Sequence, residues 1–126
     1  MEYKKTFSSY SVDDVNKAKD FYGNVMKLRV KEDPKMEGLL HVELADNEEL
    51  MIYPKPDHKP ATFTVLNFMV KDIEKTVDEL TENGVRFEQY TGQFNTNEKG
   101  IAEGRGPRMA WFKDPAGNIL SVLEEY

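Results

Sequence analysis

With 126 residues, of which 39% are hydrophobic and 32% charged, the chain is the size of one domain and has the composition of a globular protein rather than a disordered one. Its net charge of −6 comes from 23 acidic against 17 basic residues, and with Lys and Arg confined to short pairs such as Lys4-Lys5 it disfavours a nucleic-acid partner. The absence of cysteine excludes disulfides, thiolate nucleophiles and sulfur-ligated zinc.

Residues 7–12 alternate imperfectly and read as a strand ending at Asp13-Asp14, where a carboxylate can cap a helix. Val15, Ala18, Tyr22 and Val25 then recur at helical spacing, with Phe21 widening the stripe and Gly23 close to the helix end. Three further strands are predicted at 29–33, 39–44 and 49–53, punctuated by Pro34 and Asp46-Asn47. The pattern then begins again. Residues 65–70 form a strand, Asp72 is the cap, and Ile73, Thr76, Val77 and Leu80 make a buried helical face that Asn83-Gly84 stops. Strands are expected at 85–90, 108–112 and 119–124. The two helix starts, SVDDVNKA and MVKDIEKT, superimpose in register, which points to an internal duplication with modules of about 1–56 and 60–126 within a single domain, 1–126. The glycine-rich segment 91–107 interrupts the second copy and reads either as a long hairpin end or as a mobile lid.

Side chains on a strand point alternately to opposite faces. One parity collects Tyr10, Val12, Leu40, Val42, Leu44, Leu50, Ile52, Leu66, Phe68, Val70, Leu120 and Val122, an apolar set expected beneath the helices. The other collects Phe7, Ser9, Ser11, His41, Glu43, Glu49, Met51, Tyr53, Val65, Asn67, Met69, Ile119, Ser121 and Leu123. Such a mixture suits a pocket or a partly wet interface better than a dry core. Trp111 and Phe112 have opposite parity, so one faces each way, and a bulge near Gly106-Pro107 decides which.

Three stretches, SVDDVNKAKDFYGNVMKL (11–28), NFMVKDIEKTVDELTENGVRF (67–87) and AWFKDPAGNILSVLEE (110–125), together with the duplicated order of elements, resemble the glyoxalase, bleomycin-resistance and extradiol-dioxygenase group, the vicinal oxygen chelate superfamily. The resemblance implies an α+β fold in which two βαβββ modules form a curved mixed sheet around a cup with the helices outside, and it implies a homodimer. In metal-dependent members the ligands come from the first and last strand of each module. Those places fall here on Phe7, Met51, Val65 and Ser121. Phe and Val offer no donor, and a thioether and a hydroxyl make a poor set, so no metal and no cofactor are expected. An atypical site built on His41, Glu43 and Glu49 is the alternative, whereas His58 sits in the proline-punctuated YPKPDHKP segment and reads as surface loop.

Other chemistries fare no better. Ser121 in NILSVLE lacks the G-x-S-x-G elbow of a serine hydrolase, and GIAEGRGPRM lacks the Gly-Lys-Ser/Thr ending of a phosphate-binding loop. Arg105 reads as solvated, while Arg108, which borders a strand, reads equally as a solvated arginine or as a contact for an anionic ligand. The leading expectation is therefore a metal-independent protein binding a small organic molecule, possible roles including sequestration of that compound. Its candidate contacts are Phe7, Ser9, His41, Glu43, Met51, Tyr53, Val65, Asn67, Arg108, Trp111 and Ser121. The competing expectations are a glyoxalase-like isomerase, lyase or dioxygenase with a noncanonical metal site, and a protein-interaction module. No run reaches the roughly 18 apolar residues of a membrane span, and the first residues lack the apolar core of a signal peptide. A cytoplasmic location without a membrane partner is the corresponding expectation.

Overall fold

Each helix begins where an aspartate takes up one of its first free N–H groups. In the computed structural model, which describes residues 1–93, 95–104 and 106–125, Asp14 accepts from the Lys17 N–H at 3.1 Å and opens α1, Val15–Asp20. Asp72 accepts from the Lys75 N–H at 3.0 Å and opens α2, Ile73–Glu82. The caps read from the sequence are those observed. After α1 the chain widens into a π-helical turn, Phe21–Val25, closed by the Met26 N–H on the Phe21 carbonyl at 2.8 Å. A wider turn lets the consecutive Phe21 and Tyr22 both be buried, and the Tyr22 hydroxyl is met by that of Tyr10 at 2.8 Å.

The chain divides into two compact units, Met1–Pro60 and Ala61–Tyr126. In the first, β1 (Ser8–Val12), β2 (Arg29–Glu32), β3 (Leu40–Glu43) and β4 (Glu49–Pro54) form a sheet in the order β1-β4-β3-β2. In the second, β5 (Thr64–Val70), β6 (Ile101–Gly104), β7 (Gly106–Lys113) and β8 (Ile119–Glu124) form a sheet in the order β5-β8-β7-β6. In each, the outer first strand runs parallel to the last and the remaining pairs are antiparallel. The duplication seen in the helix starts therefore extends to topology, and each unit is an open mixed sheet of βαβββ order in an α+β fold.

One face of each sheet lies under its helix. In the first unit Val12, Leu40, Val42, Leu50 and Ile52 are buried with Ala18 of α1. In the second, Ala110, Phe112, Leu120 and Val122 are buried with Ile73, Val77 and Leu80 of α2. Roughly 1.5–3 kcal/mol per fully buried side chain of this size supplies the drive for both layers. Phe112, not Trp111, is thus the member of that pair that enters the helix-covered core.

The strand expected at 85–90 is not formed. Val85 is buried and Phe87 half-buried, so the alternation correctly marks which side chains turn inward, but the backbone makes only an isolated bridge, Phe87 to Phe112. The edge of β7 that a strand there would need is taken by β6, which lies inside the segment 91–107 rather than before it. The described part of that segment is a long hairpin end: Thr96 bridges to Ala102, and Ile101 and Ala102 pair with Ala110 and Met109. Gly100 allows the crossing, since with φ +89° a Cβ would stand 2.7 Å from Phe87 Cβ. Arg105 lies outside the described residues.

At the far end of β8, Glu124 turns back onto α2. Its Oε2 accepts from the Ile73 N–H at 3.1 Å and its Oε1 lies 3.9 Å from Arg108 Nε. Glu124→Ala is expected to lower stability by about 1 kcal/mol through loss of this second cap; urea unfolding with an unchanged m-value checks it.

Candidate functional site

Each sheet keeps its second face open. On the first sheet the register places Ser9, Met51, His41 and Lys31 side by side across β1, β4, β3 and β2. Flanking rows hold Ser11 with Tyr53, and Glu49 with Glu43 and Arg29. Tyr53 is 37% exposed, and Phe7, just before β1, is 53% exposed. Parity alone thus brings Ser9, His41, Glu43, Met51 and Tyr53 onto one face. His58, expected as plain surface loop, is half-buried with Nδ1 2.6 Å from Ser11 Oγ, so it borders the same face.

His41 is the centre of an ionic chain. Its Nε2 donates to Asp33 Oδ2 at 2.7 Å, and its Nδ1 faces Glu49 Oε1. Asp33 Oδ1 accepts from the Lys35 and Met36 N–H groups, each at 2.8 Å, and Glu49 Oε2 accepts from Lys5 Nζ at 2.9 Å. An imidazole with a carboxylate on each nitrogen holds both protons. Accordingly the hydrogen bond to Asp33, then that to Glu49, raises the His41 pKa above its ordinary 6.5. His41, followed by the Lys35 and Met36 N–H groups, brings Asp33 down to about 2, while Lys5 and then His41 lower Glu49. Glu43 is lowered chiefly by Lys31, whose Nζ stands 2.9 Å away. Asp33 escaped the sequence reading because its role depends on the turn 33–36 folding it back over β3.

The open face of the second sheet differs in character. Asn67, Ser121 and Trp111 form one row across β5, β8 and β7. The next row is Met69, Leu123 and Met109, with Met69 63% exposed. On the other side lie Ile119 and Lys113, opposite a bulge between Thr64 and Leu66 that contains Val65. Ser121 is 0% exposed, and its Oγ donates to Asn67 Oδ1 at 2.5 Å. Trp111 is half-buried, with Tyr90 edge-on at 5.6 Å and 82°, and burial raises the Tyr90 pKa. This face is mainly apolar, with Asn67 and Ser121 at its middle and Lys113 at one end, whereas that of the first sheet is rich in charge.

Arg108 does not join either open face. It shares parity with the core residues Ala110 and Phe112 and lies 3.5 Å from Glu74 of α2, 3.7 Å from Glu103 and 3.9 Å from Glu124. Its surroundings already supply the anions that a ligand was expected to bring.

The turn that joins β7 to β8 fixes the row of Trp111 and Ser121. Asp114 is buried; its Oδ1 accepts from the Ala116 N–H at 3.0 Å and the Asn118 N–H at 2.8 Å, and its Oδ2 from Asn118 Nδ2 at 3.0 Å. Gly117, at φ +87°, provides the left-handed residue that closes the turn. The sequence reading used DPAGN only as a scaffold signature; the combination of Asp, Gly and Asn at turn spacing was the available sign of this clamp.

The four places implied for metal ligands do not fit a metal. Phe7 and Val65 have no donor, the Ser121 hydroxyl is spent on Asn67, and Met51 stands alone as a thioether. Both ring nitrogens of His41 are already engaged, by Asp33 and by Glu49. Among the described residues no group of three or more His, Cys, Asp and Glu side chains is arranged to hold a metal ion.

A repeated βαβββ unit with a helix on one face and an open, mixed face opposite defines the structural class. The chain belongs to the Glyoxalase/Bleomycin resistance protein/Dioxygenase superfamily, which its residues 7–122 match. Among solved structures it is similar to TnmS3, an antibiotic binding protein from Streptomyces sp. CB03234, at 22% identity and a TM-score of 0.71 over 100% of both chains. It is similar also to a superfamily member from Sphaerobacter thermophilus DSM 20745, at 26% identity and 0.66 over 97% of this chain and 98% of that one. A putative glyoxalase family protein from Bacillus anthracis follows at 18% and 0.69 over 100% and 99%. No curated protein matches the chain in sequence.

Among the described residues no helix is long and apolar enough to cross a membrane.

Proposed function

We propose that this protein binds a small, largely apolar organic molecule without the help of a metal, and that it sequesters that molecule rather than transforming it. The observation that carries this reading is the open face of the second sheet, where Trp111, Met69, Met109, Leu123 and Ile119 surround the hydrogen-bonded pair of Asn67 and Ser121, with Lys113 at one end. Such a lining gains from burying apolar surface and orients its guest with few polar contacts. That TnmS3 is an antibiotic binding protein of similar fold supports the ligand class. Val65, in the bulge beside this row, is proposed as a further contact. Phe7, Ser9, His41, Glu43, Met51 and Tyr53 are proposed as a second, more polar contact surface on the first module.

With this reading go one working domain, a homodimer and a cytoplasmic location, all resting on the family resemblance and the sequence. The net charge of −6 supports the expectation of no nucleic-acid partner. Light scattering on the purified protein reads the oligomeric state directly.

Trp111 is the single tryptophan of the chain, so its emission reports on this face without labelling. Planar aromatic compounds titrated into the protein are expected to quench or shift that emission. Bound at a hundredfold excess over Kd, they are expected to stabilise the fold by about 2.7 kcal/mol in thermal unfolding. A broad panel that changes neither emission nor melting temperature overturns the proposal, and recovery of stoichiometric transition metal from protein purified without chelator contradicts its metal-independence.

A further inference from the structure

Ser121 is wholly buried, yet the residue it serves is exposed. Its hydroxyl donates to Asn67 Oδ1 at 2.5 Å, while Asn67 itself stands open to solvent on the outer strand of the sheet. The amide faces Ser121 with its oxygen, and that separation suits an O–H···O hydrogen bond. A buried serine hydroxyl must place its proton somewhere, and leaving it unpaired costs about 1–3 kcal/mol. The amide is therefore held with its oxygen inward, and the Nδ2 group, which can only donate, is turned to the open face.

We propose that Ser121 is a positioning residue that fixes Asn67 as a hydrogen-bond donor, and that this selects ligands carrying an acceptor, such as a carbonyl oxygen, on a planar apolar body. The proposal rests on the small-molecule reading above and narrows it. The register sets the span. Asn67 and Trp111 flank Ser121 on neighbouring strands, two strand spacings or about 10 Å apart. A fused bicyclic ring over the Trp111 indole brings a short carbonyl substituent to Asn67. The neighbouring row of Met69, Leu123 and Met109 offers no competing donor by side chain. Ser121, in a place where the family resemblance puts a metal ligand, here acts through its neighbour.

A matched pair of probes tests this: 2-acetylnaphthalene and 2-ethylnaphthalene differ in a carbonyl at nearly constant shape, and Trp111 emission reads the binding of both. The acetyl-to-ethyl affinity ratio is expected to be about fivefold higher in the unaltered protein than in Asn67→Leu, the worth of one neutral hydrogen bond. Asn67→Asp keeps an acceptor for Ser121 but replaces the outward donor by a second oxygen, so its ratio falls below that of Asn67→Leu. In Ser121→Ala the amide is free to turn, and the ratio falls between the two extremes. The order parameter of the Asn67 side-chain amide, measured by nitrogen-15 relaxation, drops at the same time from a rigid value to below about 0.6. A Ser121 that only supports packing weakens both probes equally and leaves the ratio and the amide unchanged. Equal ratios in all variants, or an amide as mobile with Ser121 as without it, overturn the assignment of Asn67 and Ser121 while leaving small-molecule binding standing. Failure of either probe to disturb Trp111 counts against the small-molecule reading of this face and removes the proposal with it. Because Asn67 is exposed, its variants give the ratio even if Ser121→Ala does not fold.

Discussion

Asp114→Ala is expected to destabilise the protein by about 3 kcal/mol. The Asp114 carboxylate is buried and accepts from the Ala116 and Asn118 backbone N–H groups and from the Asn118 side chain. Hydrogen bonds to a charged group are worth about 1.5–3 kcal/mol each, and buried donors left without a partner add their desolvation cost. These contacts share one turn, so their losses do not add in full, which places the expected total nearer 3 kcal/mol than the sum. The consequence reaches the open face. The turn sets the pairing of Lys113 with Ile119, and hence of Trp111 with Ser121; a relaxed turn loosens that row first. Equilibrium urea unfolding, read both by far-ultraviolet circular dichroism and by Trp111 emission, measures the effect. Asp114→Asn retains one side-chain oxygen and is expected to lose less. A loss under about 1 kcal/mol for the alanine variant means that the backbone alone holds the turn.

Strand parity carried most of what was legible in the sequence. It separated Val12, Leu40, Val42, Leu50 and Ile52 from Ser9, His41, Met51 and Tyr53, because a ladder leaves a side chain only two directions. It failed at 85–90 for a related reason. Val85 and Phe87 turn inward on either side of the exposed Arg86, but alternation reports burial, and the hydrogen-bonding edge of β7 had gone to Ile101–Gly104. Parity also fails to tell what lies above a residue. Ser121 was rightly placed on the open face, yet its complete burial and its bond to Asn67 depend on packing and register that no spacing reveals. Arg108 shows the converse: its charge suggested a ligand, while the acids that meet it come from three other elements, α2, β6 and β8. His58 and Asp33 reach the first open face from loops, where sequence periodicity has nothing to say.

His41→Gln is expected to cost about 2 kcal/mol near pH 6 and progressively less in alkaline solution. His41 bridges Asp33 and Glu49 as a cation, with Lys5 on the far side of Glu49 and Lys31 beside it on β2. Its pKa in the folded protein is raised above 6.5 by those two carboxylates. The unfolded chain therefore loses its proton first as pH rises. The stabilisation is fully present below about pH 6.5 and fades as pH climbs through the raised, folded value. The acidic limb has the opposite sign. Asp33, lowered from 3.8 to about 2, contributes above pH 3.8 and loses that contribution as pH falls toward 2, and Glu49, lowered from 4.5, loses its own below 4.5. The whole ionic chain thus acts together between about pH 4.5 and 6.5. Glutamine can still bond one carboxylate but carries no charge, and it leaves two acids facing each other across a partly buried gap. Urea unfolding of both proteins from pH 4 to 9 checks the point. The unaltered protein should lose stability relative to His41→Gln as pH rises beyond 6.5, and the two curves should converge. Parallel curves over that range mean that the folded protein holds no extra proton at this cluster and that His41 is a neutral ring there. Salt separates the two cases further, since an imidazolium between carboxylates at this degree of exposure is screened and a neutral hydrogen-bonded ring is not.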